Sequence, residues 1–350
     1  MVDDHATVTG APLAEHTPAE APLLRRLLAE FMGTLLLVAV GSGAATVFLL
    51  GPAQRFDLLA TENALSGAPE EQAVFQSIFS NSLGDLLGVA LAFAFILAVL
   101  VYALGGVSGG HFNPAVSFAL ASVRRFSWKD VPLYWLVQCL GGIVGAVLIF
   151  GIYKEQASEV ISAVQQLDPA TGQPAGSSDV PTAILFGGTV VDEGIEFWQA
   201  LLAEALIGFI LMTAIMAVAI DPRAPKGWSG LIIGISLGAG ILLTGPATGG
   251  SANFARSLGP FVTAFFLPKE DPSIPWSDLY VYAAGPLIGA LLAAFVYEAV
   301  TGMERVSPAP GPGAATPSGE ALVDEVDEPA TGEVVPEPTS APRTPPPPSP

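Results

Sequence analysis

The chain is predicted to be an all-α membrane protein built as an inverted repeat, on three observations. Hydrophobic residues make up 51% of it and charged residues only 13%. Several apolar blocks reach the roughly 20 residues a helix needs to cross hydrocarbon. Finally, two kinds of segment recur in the same order. "LLAEFMGT" (Leu27 to Thr34) returns as "LLAEALIGF" (Leu201 to Phe209), and "GGHFNPA" (Gly109 to Ala115) as "GGSANFA" (Gly249 to Ala255).

In chain order, residues 1–22 read as a polar arm with no apolar core of a cleavable signal peptide. Full spans are expected near 24–50, 84–105, 131–153, 195–220, 228–246 and 277–300. Two further segments, 113–123 and 253–267, are apolar but about half long enough; irregular backbone at that depth is tolerated only where protein or a cavity covers it. Long connections are expected at 51–83 and at 154–194, where "DPATGQPAGSSDVP" is a loop signal. Residues 301–350 are rich in Pro, Glu and Ala and too poor in large apolar groups to order themselves. The channel-forming part is thus 23–300, with repeat halves at about 23–153 and 195–300. Each half holds an odd number of full spans, so the halves enter the membrane from opposite faces and meet at mid-membrane.

Charge sets the orientation. One side carries Arg25, Arg26, Arg124, Arg125, Lys129, Arg223, Lys226, Arg305 and Arg343, against Arg55, Lys154 and Lys269 on the other. The positive-inside bias then places both termini in the cytoplasm, with Arg256 set aside. The formal charge of −19 lies mostly in loops and tail and says little about a substrate. One cysteine and three histidines argue against disulfides and metal centres; no cofactor and no nucleic-acid partner is expected.

The chemistry lies in the Asn-x-Ala segments. Asn is a favoured helix N-cap, and Pro suits the next position because its missing N–H would have been unpaired. Asn113 would cap with its carbonyl and leave its NH₂ for a lumen. The Gly-rich runs 108–110 and 249–251 would let the chain extend, with carbonyls turned to the same lumen. Two half-helices facing each other put two positive dipole ends at the centre, which opposes cations and protons and admits neutral hydrogen-bonding molecules. This is a channel lining, with no nucleophile–base pair at membrane depth to suggest an enzyme.

At "SGGHFNPAV" and "GGSANFARSLGP" the sequence resembles the aquaporin, or major intrinsic protein, family, over about residues 24–300. The resemblance implies an aquaporin-like bundle of six transmembrane helices plus two re-entrant half-helices, assembled as a homotetramer in the plasma membrane. It implies pore motifs at Asn113, Pro114, Ala115 and Asn253, Phe254, Ala255, and pore-lining backbone at Gly109, Gly110, His111, Gly249, Ser251 and Ala252. The selectivity filter then falls on Phe93, Ile241, Gly250 and Arg256. Strictly water-selective relatives have His where Ile241 stands, and glycerol facilitators have Asp where Ser257 stands. The expected permeants are therefore water and small neutral solutes such as hydrogen peroxide and ammonia, with ions excluded and a glycerol facilitator as the alternative. An ion-coupled transporter or a non-conducting scaffold ranks lower, because the midplane offers asparagines rather than carboxylates.

The second motif departs from the pattern at Phe254, which keeps the cap and is expected to pack on Pro114. Glu30 and Glu204 occupy matching places; a helix-start Glu can be merely dipole-compatible, but the resemblance makes both anchors of the re-entrant loops. His111 reads either as a pH sensor or, as the resemblance favours, as loop packing. Cys139 reads as core. "PPPPSP" can form extended polyproline.

Overall fold

In a computed structural model, the described residues are 21–66, 70–166, 186–192, 194–225, 227–265 and 274–303. The arm 1–22 and tail 301–350 lie almost wholly outside them, as does "DPATGQPAGSSDVP". Among the described residues eight α-helices run in the order α1 Leu23–Ser66, α2 Glu70–Ser108, α3 Pro114–Ser122, α4 Val131–Gln166, α5 Phe197–Ile215, α6 Ser229–Thr248, α7 Phe254–Phe265 and α8 Leu279–Thr301. A π-helical turn, Met216–Ile220, prolongs α5.

Apolar segments long enough to span a membrane are Leu23–Phe48, Asp85–Ser108, Val131–Gln156, Phe197–Ile220, Ser229–Thr248 and Trp276–Thr301, each within a few residues of its predicted block. The half-length segments are the short helices α3 and α7. The connections differ from expectation: α1 continues to Ser66, α2 begins at Glu70 and α4 reaches Gln166. Gly51-Pro52 reads as a span end, yet "FDLLATENALS" and "EEQAVFQSIF" beyond it are mostly helix formers.

Each half closes on itself through one tight helix pair, α1 with α4 and α5 with α8. Both pairs meet across Gly-x-x-x-Gly faces. A methyl group at Gly141 or Gly145 would overlap the backbone carbonyl of Phe31 or Leu35. At Gly285 and Gly289 it would overlap the Glu204 side chain and the Ala205 carbonyl. Without a hydrophobic drive between helices in lipid, such close backbone approach is what holds spans together. The half-helices then cross over: α3 packs on α8 and α7 on α4, each the last helix of the opposite half. Opposing loops therefore meet in the interior.

Gly289→Ala is expected to lower the unfolding temperature in detergent, overpacking costing about 1–3 kcal/mol. Gly151, in α4 with nothing near its missing Cβ, should be neutral or slightly stabilised by the same change. Equal effects at both positions would mean that the crossing is not glycine-limited.

Candidate functional site

Two short loops carry the motifs, and each is tied to one buried carboxyl group. Glu30 is fully buried. Its Oε1 accepts from the Ser108 hydroxyl (2.6 Å) and the His111 N–H (3.0 Å), and its Oε2 from the Phe112 N–H (2.6 Å) and Gln138 Nε2 (2.8 Å). Glu204, equally buried, repeats the arrangement. Oε1 accepts from the Thr248 hydroxyl (2.6 Å) and Ser251 N–H (2.9 Å), and Oε2 from the Ala252 N–H (2.9 Å). Tyr134 and Tyr282 add matching bonds to the carbonyls of Ser108 and Thr248, each 2.8 Å.

The loops do not extend as expected; they coil. Gly109, Gly110 and Phe112 have φ of 93°, 66° and 48°, and Gly249, Gly250 and Ala252 have 75°, 60° and 55°. Left-handed residues on either side of one that is not, His111 in the first loop and Ser251 in the second, bring neighbouring N–H groups to one side, making a concavity that suits an anion, here the glutamate. Because a trans peptide points its C=O opposite its N–H, the carbonyls of Gly110, His111, Gly250 and Ser251 turn away from the carboxyls.

Each loop ends in its asparagine cap. Asn113 Oδ1 accepts the Ala115 N–H at 2.9 Å, and Asn253 Oδ1 accepts those of Ala255 at 3.0 Å and Arg256 at 3.4 Å. Their amide groups cross over. Asn113 Nδ2 donates to the Ala252 carbonyl, and Asn253 Nδ2 to the Phe112 carbonyl, both at 2.8 Å. One hydrogen of each NH₂ is thus used between the halves and one is left over. Pro114 opens α3, and its carbonyl accepts from Trp135 Nε1 at 2.9 Å; Phe254 opens α7 without disturbing the cap.

The residues bounding a cavity of about 840 Å³ include His111, Asn113, Ser251, Ala252, Asn253, Arg256 and Phe93. Arg256 is 2% exposed, donates from Nη1 to the Gly187 carbonyl (2.9 Å) and lies 5.0 Å from the centre of the Phe93 ring. Its Nε finds no acceptor among the described residues. Gly41 of α1 gives the Phe93 ring its space. Ile241 and Gly250 are neighbours of each other, a Cβ on Gly250 falling 3.1 Å from the Ile241 Cα, and neither borders this cavity. His111 is packed: Nδ1 lies 3.0 Å from the Ser117 hydroxyl, with Phe126 edge-on at 4.7 Å between ring centres. Cys139 is half-buried on α4.

One element was missed. Residues 186–192, read as plain loop, run into the interior: Phe186 is fully buried, Gly187 presses on Ser42, and the Thr189 hydroxyl meets that of Ser257 at 2.7 Å. The available signal was "FGGTVV", an apolar, β-branched run after a polar linker.

Comparison with known proteins bears on the family and the fold. Residues 18–297 match the family described as major intrinsic protein. The chain belongs to that family. It is 35% identical over 281 residues to aquaporin AqpM of Methanothermobacter marburgensis, covering 80% of this chain and 98% of that one. Nodulin-26 of Glycine max is 32% identical over 279 residues, 80% of this chain and 79% of that one. Among solved structures, the aquaglyceroporin of Plasmodium falciparum aligns with a TM-score of 0.56 at 21% identity, over 80% of this chain and 97% of that one, a likeness of fold. This major intrinsic protein is a multi-pass membrane protein, a passive channel for water or small solutes and not an enzyme.

Asp221, another residue lining the cavity, joins the α5–α6 connection to α8. Its carboxylate accepts from Arg223 Nε (2.8 Å), Nη2 (2.6 Å) and N–H (2.9 Å) and from the Tyr297 hydroxyl (2.9 Å), while Arg223 Nη1 reaches the Thr301 carbonyl (3.2 Å). The Arg223 side-chain hydrogen bonds hold the Asp221 carboxyl well below its ordinary range. A lowered folded-state pKa contributes stability above the unfolded value, near 4, that is lost only as pH falls through the folded one. Water permeability should therefore show no break assignable to this cluster between about pH 8 and pH 5, read by light scattering on proteoliposomes. Glu204→Gln places an NH₂ against N–H or O–H donors and should cost on the order of 1–3 kcal/mol in detergent unfolding. An unchanged unfolding temperature would remove Glu204 as the loop's anchor.

Proposed function

We propose that the channel passes water and small neutral solutes, hydrogen peroxide and ammonia among them, and excludes ions and protons. The reciprocal bonds of Asn113 and Asn253 carry this reading. They bring two helix N-termini, with the positive ends of their dipoles, and two spare amide hydrogens to one level of the cavity. A solute there accepts from the amides and donates to the loop carbonyls turned away from Glu30 and Glu204. A cation meets two dipole ends and then Arg256, while the carboxyls of Glu30 and Glu204 are consumed in holding the loops. Channel selectivity by pore-lining donors, acceptors and electrostatic barriers of this kind is general.

In this reading Phe93, Ile241, Gly250 and Arg256 form the narrow ring, and the Arg256 guanidinium donates to passing oxygen atoms. Ile241 and Gly250 leave one side without a polar group, the feature that favours the glycerol alternative. Ser257, engaged with Ser251 and Thr189, supplies no charge to help a polyol. The part of the cavity lined by Arg26, Arg125 and Asp221 faces the cytoplasm, as the positive-inside bias requires. The assembly is a homotetramer in the plasma membrane, whose subunit contacts and lipid cover exposed apolar side chains such as Phe95, Val99, Leu136 and Leu202.

Stopped-flow shrinkage of proteoliposomes in an impermeant osmolyte and then in glycerol tests this. Fast, low-activation-energy shrinkage without glycerol re-entry is expected; water flux no faster than in empty liposomes would overturn the reading, and rapid re-swelling would move it to the facilitator. Arg256→Val should admit glycerol and raise cation leak. Phe254→Pro should change water permeability by less than about fivefold, since a preset φ contributes under roughly 1 kcal/mol.

A further inference from the structure

The segment 186–192 is held at several points. Phe186 packs with Leu50, Ile149 and Phe150. Downstream, the Val191 N–H donates to Asp278 Oδ2 and the Asp192 N–H to the Ala247 carbonyl, both at 3.0 Å. Between them lies a chain of three buried hydroxyls. Thr189 Oγ1 is 2.7 Å from Ser257 Oγ, which is 2.6 Å from Ser251 Oγ, which is 2.9 Å from the Asn253 carbonyl.

Its direction follows from its last member. A carbonyl only accepts, so Ser251 must donate to Asn253. With that hydrogen used, Ser257 donates to Ser251, and Thr189 in turn donates to Ser257. Every hydroxyl hydrogen in the row is then committed, and Thr189 is the donor that starts it.

The first half of the repeat shows what this row replaces. There Ser117 stands where Ser257 does and His111 where Ser251 does, and the starting donor is Gln138 Nε2, 3.1 Å from Ser117 Oγ. Gln138 belongs to α4, a membrane-spanning helix. In the second half the donor comes instead from the connection between the halves, two residues beyond the Gly187 carbonyl that accepts from Arg256. Gly187 itself, at φ 68° and wedged on Ser42, adds shape but no side-chain bond.

We infer that Thr189 and Ser257 are specificity-determining positioning residues, a hydroxyl clamp that seats the Gly187 carbonyl and so holds Arg256 against the Phe93 side of the pore. The inference rests on the channel reading above. Releasing the clamp lets the segment lift, frees the guanidinium from its acceptor and widens the ring. Solute selection should change more than water flow.

Thr189→Val keeps the shape and removes the donor, Ser257→Ala removes the middle hydroxyl, and Thr189→Ser keeps the donor. Two readouts apply to reconstituted full-length protein: the glycerol-to-water permeability ratio, and amide hydrogen exchange of Val191 and Asp192. The valine and alanine variants should raise the ratio by roughly fivefold, the scale of one lost hydrogen bond, and speed the exchange, while the serine variant matches the parent. A merely structural role would lower folded yield and both permeabilities together and leave the ratio alone. An unchanged ratio with unchanged exchange in either folded variant would overturn the clamp. Should the parent pass no water, the channel reading itself falls and exchange decides: faster in valine but not serine supports the clamp, equal in both overturns it.

Discussion

A chain cannot leave helical geometry at membrane depth unless something other than water binds the N–H groups it exposes. Glu30 and Glu204 do this. Each offers two oxygens to a coiled loop, and each lies on a helix held by a Gly-x-x-x-Gly crossing within its own half. The left-handed turns, the asparagine caps and the short helices all depend on those carboxyls. The proposed exclusion of ions rests on the same contacts: carboxyl oxygens already accepting from the loop N–H groups leave the helix ends as the electrostatic feature of the centre.

The two halves use this device with different supports. In the first, Gln138 from α4 completes the polar set around Glu30 and Ser117. In the second, no side-chain amide joins Glu204 among its observed donors, and Thr189 reaches in from a connecting segment. The second motif also lacks proline at the first helical position. Its helix start survives because the cap is made by Asn253 and by the Asn253 carbonyl accepting the Ser257 N–H at 3.2 Å, neither of which needs the ring of proline.

Around Asp221 the constraint is different. The π-helical turn after Ile215 ends at Asp221, which gathers Arg223 and Tyr297 and ties the α5–α6 connection to the end of α8. Here water is close and the ionic pair is half exposed on its arginine side, so its value lies in geometry rather than in a large contribution to stability.

Much of this was legible without coordinates. Apolar length set the spans, because hydrocarbon thickness is a ruler; repetition of "LLAE" and of Gly-Gly…Asn-x-Ala set the two halves; the capping preference of Asn marked Asn113 and Asn253, the cost of an intramembrane charge marked Arg256, and the repeat gave Glu30 and Glu204 matching places that only the family resemblance read as loop anchors. These are local or one-dimensional signals. What only the tertiary structure decided are partners far apart in the chain: the crossing of each asparagine amide to the other loop's carbonyl, the coiled rather than extended loops, and the descent of residues 186–192 to Arg256. Sequence position carries no information on which distant carbonyl a guanidinium will meet, since that is set by how closely helices approach, and here glycines at the crossings set that distance.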